Sequence, residues 1–195
     1  MADLACGLVV IGGSWGGIAA AGDILGRLPP TFSLPVVLAL HRSPSGTDDM
    51  LVKALSRSSA LPVVEPDDKA ELAAGTVFVA PADYHLLVEN DHLALSVDPP
   101  VRFSRPSIDV VFESAAAAFR DRLVAVLVTG ANDDGARGIA TAKMRGGRTF
   151  VQDPSTAERR EMPDAAIATG AVDRVLPLPA IAAALAALDP GSDPT

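Results

Sequence analysis

LVAVLVTG (residues 123–130) runs through six consecutive apolar residues before it meets Thr129 and Gly130. A strand with one wet face alternates apolar and polar residues. A strand apolar at every position is covered on both faces, as in a parallel sheet flanked by helices. Working outward, GLVVIGG (7–13) and LPVVLALH (34–41) have the same texture. Segments of helical length follow them at 18–28 and 48–56. Shorter strands are expected at 61–65, 76–80, 148–151 and 174–176. Further helices are expected at 107–120, with Ser107 as N-cap after Pro106, and at 135–145, 163–169 and 179–188. Residues 85–88 and 93–97, joined through Glu89-Asn90-Asp91-His92, read as a hairpin on the sheet's edge. The expected fold class is therefore α/β: a doubly wound, mostly parallel sheet with helices on both faces and an antiparallel hairpin near the middle. No repeat or linker divides the chain, so residues 1–188 are expected to form one domain. The polar, turn-rich DPGSDPT (189–195) is expected to be a disordered tail.

Composition narrows the function. Hydrophobic residues make up 49% of the 195 but aromatics only 4%, so Ala, Val and Leu must fill the core. The net charge of −8 argues against a general nucleic-acid binder. The apolar runs are all too short for a membrane span of about 18 residues or more, and the N-terminus lacks the basic region of a signal peptide. The single cysteine, Cys6, excludes an internal disulfide and a cysteine-cluster metal site. A cytoplasmic setting follows as the expectation.

In open α/β sheets, sites form beyond the carboxyl ends of the strands. That rule selects residues 12–17, 41–46 and 129–135. Gly12-Gly13-Ser14-Trp15-Gly16 fits G-x-S-x-G, in which a sharp strand-to-helix turn holds a serine out of the sheet beside a helix N-terminus. The alternative is a glycine-rich turn that binds phosphate or simply packs tightly. A dinucleotide site fits poorly, because G-x-G-x-x-G is absent and no acidic residue closes the second strand. Of the three histidines, His41 ends a buried strand at the same sheet edge as Ser14 and suits the general base. His85 and His92 lie in the hairpin, and a packing or surface role is the better reading for His92. The loop VTGANDDGARG offers Asp133 and Asp134 as the carboxylate that would orient the histidine. Either could instead cap the following helix, and the residues alone do not choose between them.

Six blocks carry a resemblance: VVIGGSWGG (9–17), LALHRSP (38–44), VFVAPADYH (77–85), SRPSIDVVF (104–112), VLVTGANDDGARG (126–138) and EMPDAAI (161–167). In order and spacing the chain resembles the catalytic domain of the CheB protein-glutamate methylesterases from about residue 7 to 188. The resemblance implies Ser14 as nucleophile, His41 as base, and as acid the aspartate directly before glycine, Asp134. It further implies an oxyanion hole from the backbone N–H groups of Trp15 and Ala131. Trp15, Arg105 and Met162 become candidate cleft residues. Ser107 and Asp109 match the same block, although helix capping and first-turn charge explain them more simply. The implied substrates are glutamyl methyl esters, and glutamines, on the cytoplasmic helices of methyl-accepting chemotaxis receptors, with no cofactor, metal or nucleic acid.

Two departures from the family pattern stand out. Trp15 replaces a residue that is usually small, and its indole would either narrow the cleft or wall it. The first strand starts near residue 7, which leaves no room ahead of it for the family's receiver domain, so regulation would come from a separate partner, from expression, or not at all. The rival readings are an inactive interaction module of the same fold and an esterase for a different ester.

Overall fold

Val10 lies between Val37 on one side and Ala125 on the other, and all three side chains are fully buried. The surrounding structure is a computed structural model that describes residues 7–42 and 48–189. In chain order the elements are β1 (Leu8–Gly13), α1 (Gly17–Leu25), β2 (Val36–Leu40), α2 (Asp48–Ser58), β3 (Val63–Val64), β4 (Ala70–Glu71), β5 (Val77–Val79), β6 (His85–Val88) and β7 (His92–Ser96). There follow α3 (Ile108–Phe119), β8 (Leu123–Leu127), α4 (Ala136–Met144), β9 (Arg148–Gln152), α5 (Glu161–Ala168), β10 (Arg174–Leu176) and α6 (Leu178–Leu188).

Seven strands form one parallel sheet in the order β10-β9-β8-β1-β2-β5-β3. The strand period of two sends alternate side chains to opposite faces. Val9, Ile11, Val36, Leu38, Val124 and Val126 join the core shared with α1, α2 and α6. Leu8, Val10, Val37, Ala39, Ala125 and Leu127 join the core shared with α3, α4 and α5. Full burial of each Val or Leu contributes about 1.5–3 kcal/mol, so the all-apolar texture of β1, β2 and β8 is what makes them the centre of the sheet. The expected doubly wound α/β architecture is observed.

Three expectations are corrected. The hairpin is not on the edge of the main sheet: β6 and β7 pair with β4 in a separate antiparallel sheet ordered β4-β7-β6. Leu86 and Val88 pack into the α3 side of the core, and Val88 N–H donates to Ser114 Oγ of α3 at 3.0 Å, so the hairpin docks on a helix. The run 61–65 pairs only at Val63–Val64. Asp189, the first residue of the expected tail, is buried and accepts bonds from Ser33 N–H (3.0 Å) and Ser33 O–H (2.5 Å). The rest of that tail, Cys6, and residues 43–47 of the loop after His41 lie outside the described residues. Among the described residues no helix is long and apolar enough to cross a membrane.

Candidate active site

β8, β1 and β2 are adjacent, so the segments leaving their carboxyl ends meet. β1 delivers Ser14, β2 delivers His41, and β8 delivers residues 128–135. The chain runs from β1 to one side of the sheet first and returns to the other side at β8, so these segments converge at a topological switch point. Ser14 N–H donates to Thr129 O (3.0 Å) and His41 N–H to Gly13 O (3.1 Å), which carries the ladder past the strand ends and fixes both backbones. Gly16 has φ 76, and a Cβ there would stand 2.7 Å from Glu158 Oε2; only glycine lets the chain turn here into α1.

Ser14, His41 and Asp134 form an unbroken hydrogen-bonded line. Ser14 Oγ lies 3.1 Å from His41 Nδ1, and His41 Nε2 lies 2.7 Å from Asp134 Oδ2. Asp134 is completely buried and receives three more bonds: Ser107 O–H (3.0 Å) and Asp109 N–H (2.9 Å) at Oδ1, and Ile108 N–H (2.8 Å) at Oδ2. These fill the roughly four lone-pair sites of a carboxylate. Burial by itself would raise the Asp134 carboxyl, but the bond from His41 and those from the Asp109 and Ile108 amides outweigh it and hold the group below the ordinary carboxylate range. An ionised Asp134 can only accept, so His41 carries its proton on Nε2 and leaves Nδ1 free to accept from Ser14 O–H. The imidazole is thus reversed relative to the chymotrypsin-type arrangement, where Nε2 faces the serine.

The same geometry separates the two aspartates. Asp133 points outward and is ion-paired with Arg102, whose hydrogen bond lowers its carboxyl pKa. Asp134 does cap a helix, though not the one that follows it. Its carboxylate takes the first amides of α3, while Asp109 of α3 accepts Gly135 N–H (2.9 Å) and Gly138 N–H (2.8 Å) at the start of α4. The two helices are capped reciprocally, and Ser107, at the N-cap position, turns its hydroxyl to Asp134. Asp109 contrasts with Asp134: burial raises its carboxyl, against the lowering effect of the Gly138 amide, and among the described residues its Oδ2 has no hydrogen bond, only a longer ion-pair contact with Arg137 at 3.6 Å.

The peptides flanking Ser14 are held from their carbonyl sides. Gly17 N–H donates to Ser14 O (2.8 Å), and Met162 N–H donates to Gly130 O (2.9 Å). A trans peptide points its N–H opposite its C=O, so the Trp15 and Ala131 amides face away from these anchors. Neither amide has an acceptor among the described residues. Two polar, acceptor-free amides beside the turn that carries Ser14 have the makings of an anion site.

The remaining candidates fall in different places. Trp15 is 58% exposed, donates from Nε1 to Glu158 Oε1 (2.6 Å), and lies under the Arg159 guanidinium, 5.5 Å from the ring centroid. A cleft of 130 Å³ opens beside His41, lined by Arg42, Asp83, Pro100, Phe103, Ser104, Arg105 and Pro106, without the indole. Arg105 does line it, bound to Asp83. Met162 does not, because it is fully buried beneath Gly130. A Cβ on Gly130 would stand 2.6 Å from Met162 Sδ and 3.0 Å from Ser14 Cβ. Gly130→Ala is therefore expected to lower stability by about 1–3 kcal/mol and also to reduce turnover by displacing Ser14, as read from thermal melts beside kcat. His92 stands apart on the surface, bonded to Asp91. A larger groove of 570 Å³ between α1 and α2 includes Asp23, Arg27 and Ser58 in its lining, with no histidine to activate the serine.

Several supporting residues were not singled out from the sequence as parts of the site. Thr129 Oγ1 lies 3.0 Å from Trp15 O and accepts Arg159 N–H at 2.8 Å, tying the serine turn to the segment before α5. His85 is buried, accepts Ser107 N–H at Nδ1 (3.3 Å) and donates from Nε2 to Pro99 O (3.1 Å). Asn132 Oδ1 accepts Asp134 N–H (3.1 Å), an Asx turn that the pattern Asn-x-Asp could have signalled.

Comparison with known proteins identifies the family and the fold. Residues 9–185 match the family described as CheB methylesterase. A Leptospira interrogans protein, provisionally named protein-glutamate methylesterase/protein-glutamine glutaminase, is 43% identical over 182 residues, which are 93% of this chain and 94% of that one. The protein-glutamate methylesterase FrzG of Myxococcus xanthus is 40% identical over 179 residues; the match takes in 91% of this chain but only 53% of FrzG. The crystal structure of the Thermotoga maritima CheB methylesterase catalytic domain superposes with a TM-score of 0.89 at 32% identity, covering 95% of this chain and 100% of that one. With the fold, the family match and the near-full-length relatives in agreement, the chain belongs to the CheB methylesterase family.

Proposed function

We propose that this chain is a serine hydrolase that removes methyl groups from γ-glutamyl methyl esters on the cytoplasmic helices of methyl-accepting chemotaxis receptors, working in the cytoplasm. The observation that carries the reading is the line from Ser14 through His41 to a buried, fully hydrogen-bonded Asp134. Ser14 Oγ attacks the ester carbonyl and passes its proton to His41 Nδ1. Asp134 stabilises the imidazolium that results, and the Trp15 and Ala131 amides hold the oxyanion. Collapse of the tetrahedral intermediate expels methanol, which takes the proton from His41. Water then gives a proton to His41 and attacks the acyl-serine, releasing a free glutamate and regenerating Ser14. A glutamine follows the same path with ammonia as the leaving group. The names of the relatives support both substrates. Every step uses side chains or backbone of this chain alone.

Treatment with a fluorophosphonate probe tests the reading directly. Stoichiometric labelling that peptide mapping assigns to Ser14, and that His41→Ala abolishes, is the expected result. An unlabelled chain would favour the inactive interaction module.

A further inference from the structure

A turn beside His41 breaks two local rules at once. Residues 101–104 close on themselves, Val101 N–H to Ser104 O at 3.1 Å and Ser104 N–H to Val101 O at 2.9 Å. Arg102 and Phe103 at its tip have φ of 50 and 64, a left-handed backbone that favours glycine or asparagine. Phe103 also leaves its ring wholly in solvent while contributing to the wall of the cleft beside His41. The turn is firmly anchored. Arg102 is ion-paired with Asp133, one residue before Asp134, and Arg105 donates to Asp83 (3.0 Å) and to the carbonyls of Val97 (2.9 Å) and Asp98 (3.1 Å). Nothing in the packing of the described residues accounts for a bulky apolar side chain there, and a left-handed backbone outlier beside a reactive site points to function.

The size of the cleft limits what can reach it. At 130 Å³ it accepts a side chain, whereas an α-helix with its side chains is about 10–12 Å across. A helix bearing the ester must rest on the rim and send only the esterified side chain toward Ser14. Trp15 is not part of the cleft lining and is already engaged by Glu158 and Arg159. Phe103 lines the cleft beside His41, and among the described residues its ring is left exposed to meet the helix.

Resting on the esterase reading above, we propose that Phe103 is a specificity-determining residue: its ring packs on the apolar seam of the helix that carries the glutamyl ester, favouring protein-bound over small esters. Phe103→Gly tests this well, because glycine adopts the backbone of residue 103 without strain and the turn keeps its path when the ring is lost. The measurement is kcat/KM for a methylated cytoplasmic fragment of a receptor, taken as a ratio to kcat/KM for p-nitrophenyl acetate. The ratio is expected to fall about tenfold or more, chiefly through KM for the fragment, and to recover largely in Phe103→Leu. An unmoved ratio, or a parallel fall for both esters, overturns the proposal while leaving the esterase reading intact. Wild-type chain inactive on both esters overturns the esterase reading and this proposal with it.

Discussion

Ser14→Ala is expected to lower kcat for ester hydrolysis by roughly 10⁴–10⁶, with a melting temperature close to that of the wild type. The large kinetic effect follows from losing the only atom of the line that forms a covalent bond. His41 could still activate water, and the Trp15 and Ala131 amides would still bind an oxyanion, so activity should settle above the uncatalysed rate. The small effect on stability follows from the hydroxyl's place: its bond is to His41 at 3.1 Å, and the Ser14 backbone keeps its own bond to Thr129 O. Methanol release from a methylated receptor fragment, followed alongside thermal unfolding, separates the two quantities. A Ser14→Ala chain within tenfold of wild type would remove the serine from the mechanism.

Asp134 should show a different balance, with a large effect on activity and a large one on stability as well. In Asp134→Asn an amide group replaces one acceptor oxygen, and if its NH₂ turns to His41 the ring proton moves to the nitrogen facing Ser14. The expected fall in kcat is about 10⁴. In Asp134→Ala the Ile108 and Asp109 amides and the Ser107 hydroxyl lose their acceptor inside the protein. Leaving these groups unpaired is expected to cost on the order of 3 kcal/mol or more. For a chain of this size that lowers the melting temperature by roughly 6–12 °C.

The acid dependence of stability has a definite sign. Because the folded carboxyl of Asp134 sits below its ordinary value, its contribution is full above a pH of about 4 and is lost as pH falls through the folded pKa. Asp109 works the other way: its raised carboxyl carries a penalty when ionised, and that penalty is relieved as pH drops. Asp134→Ala should therefore melt with a shallower acid limb than wild type in unfolding scans from neutral to low pH. An unchanged limb would show that the pH dependence comes from other carboxylates.

Much of the fold is legible locally. Full apolarity in LVAVLVTG, GLVVIGG and LPVVLALH marks strands buried on both faces, since no half-wet strand tolerates it. The hairpin was legible as a hairpin but not as part of a separate sheet, because its destination depends on α3, which begins twelve residues after β7 ends. β4 was not legible at all: two residues, Ala70 and Glu71, carry no periodicity, and only pairing with β7 makes them a strand. Met162 shows the same limit from another side. A methionine in a matching motif suits a cleft wall or a core equally, and burial under Gly130 is a property of the assembled chain.

By itself, then, the sequence determined the parallel sheet and the three strand ends at which Ser14, His41 and the aspartate pair must meet. These follow from periodicity and from the rule that places sites at the carboxyl edge. Tertiary structure alone decided the electrostatics. Asp133 and Asp134 are adjacent and chemically identical, but one meets Arg102 at the surface. The other is enclosed by the first turn of α3, the Ser107 hydroxyl and the His41 ring. The difference arises because α3 and α4 cap each other across more than twenty residues of chain. A carboxylate's partners come from whatever the fold brings within about 3 Å of it, however far away in sequence they lie.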